Sequence, residues 1–155
     1  MAAVTYPSAE AIAGLAREAQ QQQLQSLDSL DTKAATLLGL AGVVLGLIFT
    51  SPLATKHWSA SLTVGAGTIA AAIVVLGVAI LPRNYKFNPN ITTLATPNYM
   101  QQNADQTYYI TTASILEALL FNADRIKLKA RLLRIGTALA VIGLVVVTIG
   151  LIRAT

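Results

Sequence analysis

The chain has 155 residues, of which 54% are hydrophobic and only 12% charged, with 11 Lys and Arg against 7 Asp and Glu. That charged share is about half of what a water-soluble globular domain carries, so water is not the only solvent this chain is built for. There is no cysteine, which excludes a disulfide framework and thiolate metal sites and leaves the redox compartment unreadable.

In chain order, Pro7-Ser8 reads as a helix start, with Ser8 placed to cap free N–H groups and Glu10 in the positive first turn. An apolar stripe then runs Ile12, Ala16, Ala19, Gln23, Leu27 or Leu30, Ala34, Leu37 and Ala41, at the helical spacing of three and four. No Gly or Pro interrupts Leu15 to Leu38, so one helix is expected from about Ser8 to about Thr50. Its first half reads as a water-exposed stalk and its second half as a membrane span. The run Gln20 to Gln23 is a solvated helical face. Mostly polar residues precede the first apolar run, unlike a cleaved signal peptide, so this span is expected to stay in the protein.

Ser51-Pro52 closes the first span, and a short connection carries Lys56, His57 and Trp58. Trp58 suits the aromatic belt of a lipid interface, and His57 lacks the partners of a metal site or triad. A second span follows over 60–82, then a loop over 83–97 broken by Pro89 and Pro97. Asn98 with Gln101 resembles a capping arrangement for a third helix, expected over 98–152 as stalk plus span. Its stripe reads Tyr108, Thr111 or Thr112, Ile115, Leu119, Asn122, Ile126, Ala130 and Leu133.

Uncharged runs over Ala34–Thr55, Trp58–Pro82 and Ile135–Ile152 are each near the ~20 residues that cross a bilayer. The fold expected is an all-α, multi-pass membrane protein. It is a single membrane domain over 1–155, with three transmembrane helices and two cytoplasmic helical stalks continuous with the first and third spans. With three spans, 9 of the 11 basic residues fall on the side of the N-terminus and only Lys56 and Arg153 on the other, which puts the N-terminus in the cytoplasm. The acceptor triplet Asn90-Ile91-Thr92 then carries no meaning for glycosylation.

Steps of about 100° per residue place Asp31 and Lys33 on opposite shoulders of the first stripe. One reading makes them boundary residues that set membrane depth. The other pairs Asp31 with Lys129 or Arg125 and makes the pair the lock of a resting state. Asn122 lies within the third stripe, with Arg125 and Lys129 along one border and Lys127, Arg131 and Arg134 along the other. A buried amide needs a partner, and Gln23, Asp31 or Asn122 of another subunit are the candidates. Lys127, Arg131 and Arg134 suit anionic lipid or a nucleotide phosphate, and Tyr108 with Tyr109 offers a stacking surface. Gly39, Gly42 and Gly46 share a face of the first span, and Gly136, Gly143 and Gly150 recur every seven residues in the third. Both patterns suit close helix packing.

The segments LDTKAATLLGLAGVVLGLI (Leu30 to Ile48) and NADRIKLKARLL (Asn122 to Leu133) resemble the bacterial Pycsar effector membrane domain and related small antiphage membrane effectors. The resemblance implies an effector that answers a cyclic nucleotide signal, made on infection, by disturbing the inner membrane until the host stops growing. The residues themselves support its physical prerequisites: spans, stalks able to associate as a homo-oligomer, and a basic cytoplasmic collar. They offer no acid within a span and no catalytic constellation, so neither an enzyme, a cofactor, a metal nor a nucleic acid polymer is expected. The partners expected are the lipid bilayer, further copies of the chain and a cyclic nucleotide. The alternative is a non-enzymatic scaffold or sensor subunit that binds a partner protein through its stalks.

Overall fold

A computed structural model describes residues 8–51, 59–86 and 104–153. They form three helices, α1 (Ala9–Thr50), α2 (Ala60–Ile80) and α3 (Ala104–Ile152), and among the described residues there is no strand. All three are long and apolar enough to cross a membrane. Helix α2, with 21 residues, extends about 30 Å, the thickness of the hydrocarbon layer. It is capped by Ser59, whose hydroxyl accepts the Leu62 N–H at 3.3 Å. The readings placed on Lys56, His57, Trp58, Pro89, Asn90, Pro97, Asn98 and Gln101 lie outside the described residues.

The chain divides into two compact units. The first comprises residues 1–27 and 83–126. Its described core draws Ala13, Ala16 and Leu27 from α1 and Thr111, Thr112, Ile115 and Ala118 from α3. Alanine on α1 lets its backbone come close to α3, and Gln23 Nε2 donates to the Leu119 carbonyl at 3.1 Å. Ile12, expected on the stripe, is instead 48% exposed, and its neighbour Ala13 takes the buried position.

The second unit comprises residues 28–82 and 127–155 and contains the three spans. Ala41, Ile48, Leu62, Ile69 and Val147 form its core, flanked by Val44, Leu45, Ile73 and Leu151. The buried positions repeat every seven residues: Ala34, Ala41 and Ile48 on α1; Leu62, Ile69 and Leu76 on α2; Lys129, Gly136, Gly143 and Gly150 on α3. A strict seven-residue repeat is the pattern of left-handed supercoiled packing.

Helices α2 and α3 meet through glycine. A Cβ on Gly65 would stand 2.9 Å from the Val147 nitrogen, and one on Gly143 would stand 3.1 Å from both the Gly65 oxygen and the Ile69 nitrogen. Only hydrogen fits there, because the neighbours are backbone atoms that cannot rotate aside. Gly39, Gly42 and Gly46 of α1 behave otherwise, since a Cβ on any of them meets nothing within 4 Å. Around this core Leu40, Val43, Leu47, Val64, Val74, Val141, Ile142 and Val145 are all exposed. So large an apolar surface would be an aggregation hazard in water and is the expected exterior in lipid.

Candidate functional site

The buried polar residues of α3 keep, along the sequence, the seven-residue spacing of its glycines. Asn122 and Lys129, seven residues apart, are each only 3% exposed. This corrects the sequence placement of Lys129 at the border of the stripe. Lys129 stands seven residues before Gly136, at the start of the repeat of buried positions in its own unit, the spacing that left-handed supercoiled packing favours.

A buried ammonium needs a counterion, because its desolvation otherwise costs several kcal/mol. In the unit that contains the spans, Lys129 Nζ is ion-paired with Asp31 Oδ1. The two ends of the pair differ: the Lys129 side chain is 4% exposed and that of Asp31 44%. The bonded oxygen of Asp31 is out of solvent contact, while the rest of the carboxylate reaches water. Asp31 therefore has an alternative to the pair and Lys129 has none. Lys33, two residues on, is exposed and lies with Arg134 along a groove between α1 and α3.

The other unit handles its buried polar group differently. Asn122 Oδ1 accepts the Lys86 N–H at 3.0 Å, and Asn122 Nδ2 donates to the Lys86 carbonyl at 2.8 Å. The side-chain amide thus pairs with the main chain of Lys86 much as a neighbouring strand would, and fastens the irregular segment after α2 to α3. Gln23, one of the partners expected from the sequence, donates instead to the Leu119 carbonyl. Lys86 Nζ also meets Glu117 Oε1 at 2.9 Å, a pair exposed on both sides and worth about 1 kcal/mol or less. Phe121 carries two cations, with Lys86 Nζ 4.6 Å and the Arg125 guanidinium carbon 3.9 Å from the ring centroid. Each such contact is worth about 0.5–1 kcal/mol at an exposed site.

Of the residues singled out in the sequence, Asp31 and Lys129 are brought together, while Asn122 and Arg125 find other partners. Lys33, Lys127, Arg131 and Arg134 are exposed, and Tyr109 is 60% exposed. Lys86, Glu117 and Phe121 escape the sequence reading. The i,i+4 spacing of Phe121 and Arg125 was a usable signal for the stacking, but Lys86 lies 36 residues from Asn122 and contributes main-chain atoms, which no residue type announces.

An ion pair buried between α1 and α3, in a chain of three membrane-length helices, marks a multi-pass helical membrane protein. The chain matches the Pycsar effector protein domain family over residues 15–154 and belongs to that family. No curated protein and no solved structure matches it significantly.

Proposed function

We propose that the protein is the membrane-disrupting effector of a cyclic-nucleotide-signalled antiphage system, and that the Asp31–Lys129 pair holds its spans in a resting arrangement. The observation that carries this reading is the burial of Lys129 in the seam, with Asp31 as its half-exposed counterion. A lock of this kind is stable while closed and opens when a competing anion or a shift of α1 draws Asp31 away. Lys129 then lacks a counterion within the seam, and the spans rearrange to let it reach water. An anionic cyclic nucleotide is the ligand class that the family points to. The protein acts in the inner membrane with its N-terminus in the cytoplasm, in keeping with the 9 basic residues on that side, and it does so without catalysing a reaction.

The active form is a homo-oligomer. Leu15, Leu116 and Leu120, all outside the span-containing unit, are 66%, 48% and 75% exposed, an apolar surface that association would cover.

The test is propidium iodide uptake by cells that make the full-length protein with or without a nucleotide cyclase. Uptake should require both. Growth and membrane integrity indifferent to the cyclase would reject the effector reading and favour a scaffold.

A further inference from the structure

We infer that the groove between α1 and α3 is a binding site for one anionic phospholipid, with the headgroup between Lys33 and Arg134 and an acyl chain along the apolar floor. The inference requires only that the spans lie in a bilayer, and it stands or falls independently of the effector reading.

At its mouth the groove has a volume of about 650 Å³ and a mostly apolar wall, lined by Thr32, Lys33, Thr36 and Leu37 of α1 and by Leu133, Arg134 and Thr137 of α3. Two cations from two different helices flank it and no carboxylate lines it. Both cations are exposed, and neither makes an ion pair among the described residues. The hydroxyls at the mouth are already satisfied within their own helices: Thr32 donates to the Asp28 carbonyl, Thr36 to that of Thr32 and Thr137 to that of Leu133. The unmet chemistry there is therefore positive charge, which calls for an anion.

Below the mouth the charged residues end and the apolar wall continues. Leu37 and Thr137 also line the next recess, which continues between Leu40, Val44, Val141 and Leu144 with almost no polar surface. From Lys33 to Val44 is eleven residues, about 16 Å of helix, or one leaflet of a bilayer. Charge at one end and a leaflet's depth of hydrocarbon at the other match an anionic phospholipid. They do not match a soluble nucleotide, which has nothing to place on the apolar floor. A span from a second copy fits poorly as well, since it would bring its own Lys33 and Arg134 to the same depth.

The test is native mass spectrometry of the full-length protein in neutral detergent, titrated with phosphatidylglycerol, phosphatidylcholine or inorganic phosphate. At about fivefold for each cation near an anionic headgroup, wild-type protein should prefer phosphatidylglycerol to phosphatidylcholine by about 25-fold. Lys33→Gln with Arg134→Gln, both at exposed positions, should reduce the preference to about twofold or less, whereas Arg153→Gln should leave it intact. Thr137→Trp, which fills the groove below the mouth, should weaken both lipids alike. Equal binding of the two lipids by wild type would overturn the inference, as would a preference that survives the double substitution. Displacement of phosphatidylglycerol by inorganic phosphate or by a cyclic mononucleotide would also overturn it, and would reassign the two cations to a soluble anion.

Discussion

Helix α3 has a buried residue at every seventh position from Asn122 to Gly150, and its polar members are held by other rules than its glycines. At Asn122 and Lys129 the series carries polar groups, each held by a partner: the main chain of Lys86 for the amide and Asp31 for the ammonium. At Gly136, Gly143 and Gly150 it carries no side chain at all, and α2 packs against the bare backbone. A polar partner can be exchanged for water or for another ligand at modest cost. A backbone contact has no substitute. Under the proposed function the glycine positions serve as the fixed pivot, and the polar positions are the part that changes state.

The largest effect is expected at the pivot. Gly143→Val places a branched side chain where even a Cβ lies 3.1 Å from backbone, so it should destabilise the span-containing unit by about 3 kcal/mol or more. Thermal unfolding in detergent micelles measures this. At the lock the two partners should behave unequally. Asp31→Asn strands a buried ammonium and should cost about 2–3 kcal/mol, at or just below the low end of the range for a broken buried pair because solvent shares the carboxylate. Lys129→Met removes the charge that needed burying and leaves Asp31 free to hydrate, so its cost should be about 1 kcal/mol or less. Equal losses from the two substitutions, measured by the same unfolding, would remove the asymmetry on which the lock depends.

Asn122→Ala should cost about 1–3 kcal/mol, since the Lys86 N–H and carbonyl lose their pairing with the amide. Hydrogen exchange at Lys86 should rise correspondingly, and an unchanged rate would show that water replaces the amide without penalty. The smallest effect belongs to α1. Gly42→Ala meets nothing within 4 Å and should change monomer stability by less than about 1 kcal/mol, toward stabilisation, because alanine favours a helix over glycine. A larger loss, seen only where copies associate in cross-linking, would place Gly42 in an interface between copies.

These contrasts show what the sequence could and could not disclose. The three spans were legible because uncharged runs near 20 residues have few other uses. Asp31 was legible as an acid with two candidate partners, Lys129 and Arg125, and only the burial of Lys129 separates them. Two glycine patterns were legible as packing faces, yet the one on α3 is filled by α2 while the one on α1 stays open. Residue type alone cannot show which face meets a neighbour. The Asn122 clamp on Lys86 was not legible at all, because its other half is main chain supplied by a segment without regular structure.

The most direct measurement is charge exchange at the lock, read as propidium iodide uptake in cells that make the full-length protein with or without the nucleotide cyclase. Asp31→Lys alone places two cations together, and uptake should no longer depend on the cyclase. Adding Lys129→Asp restores an opposite-charge pair, and dependence on the cyclase should return. A double exchange no better than the single substitution would contradict the claim that the Asp31–Lys129 pair holds the resting state.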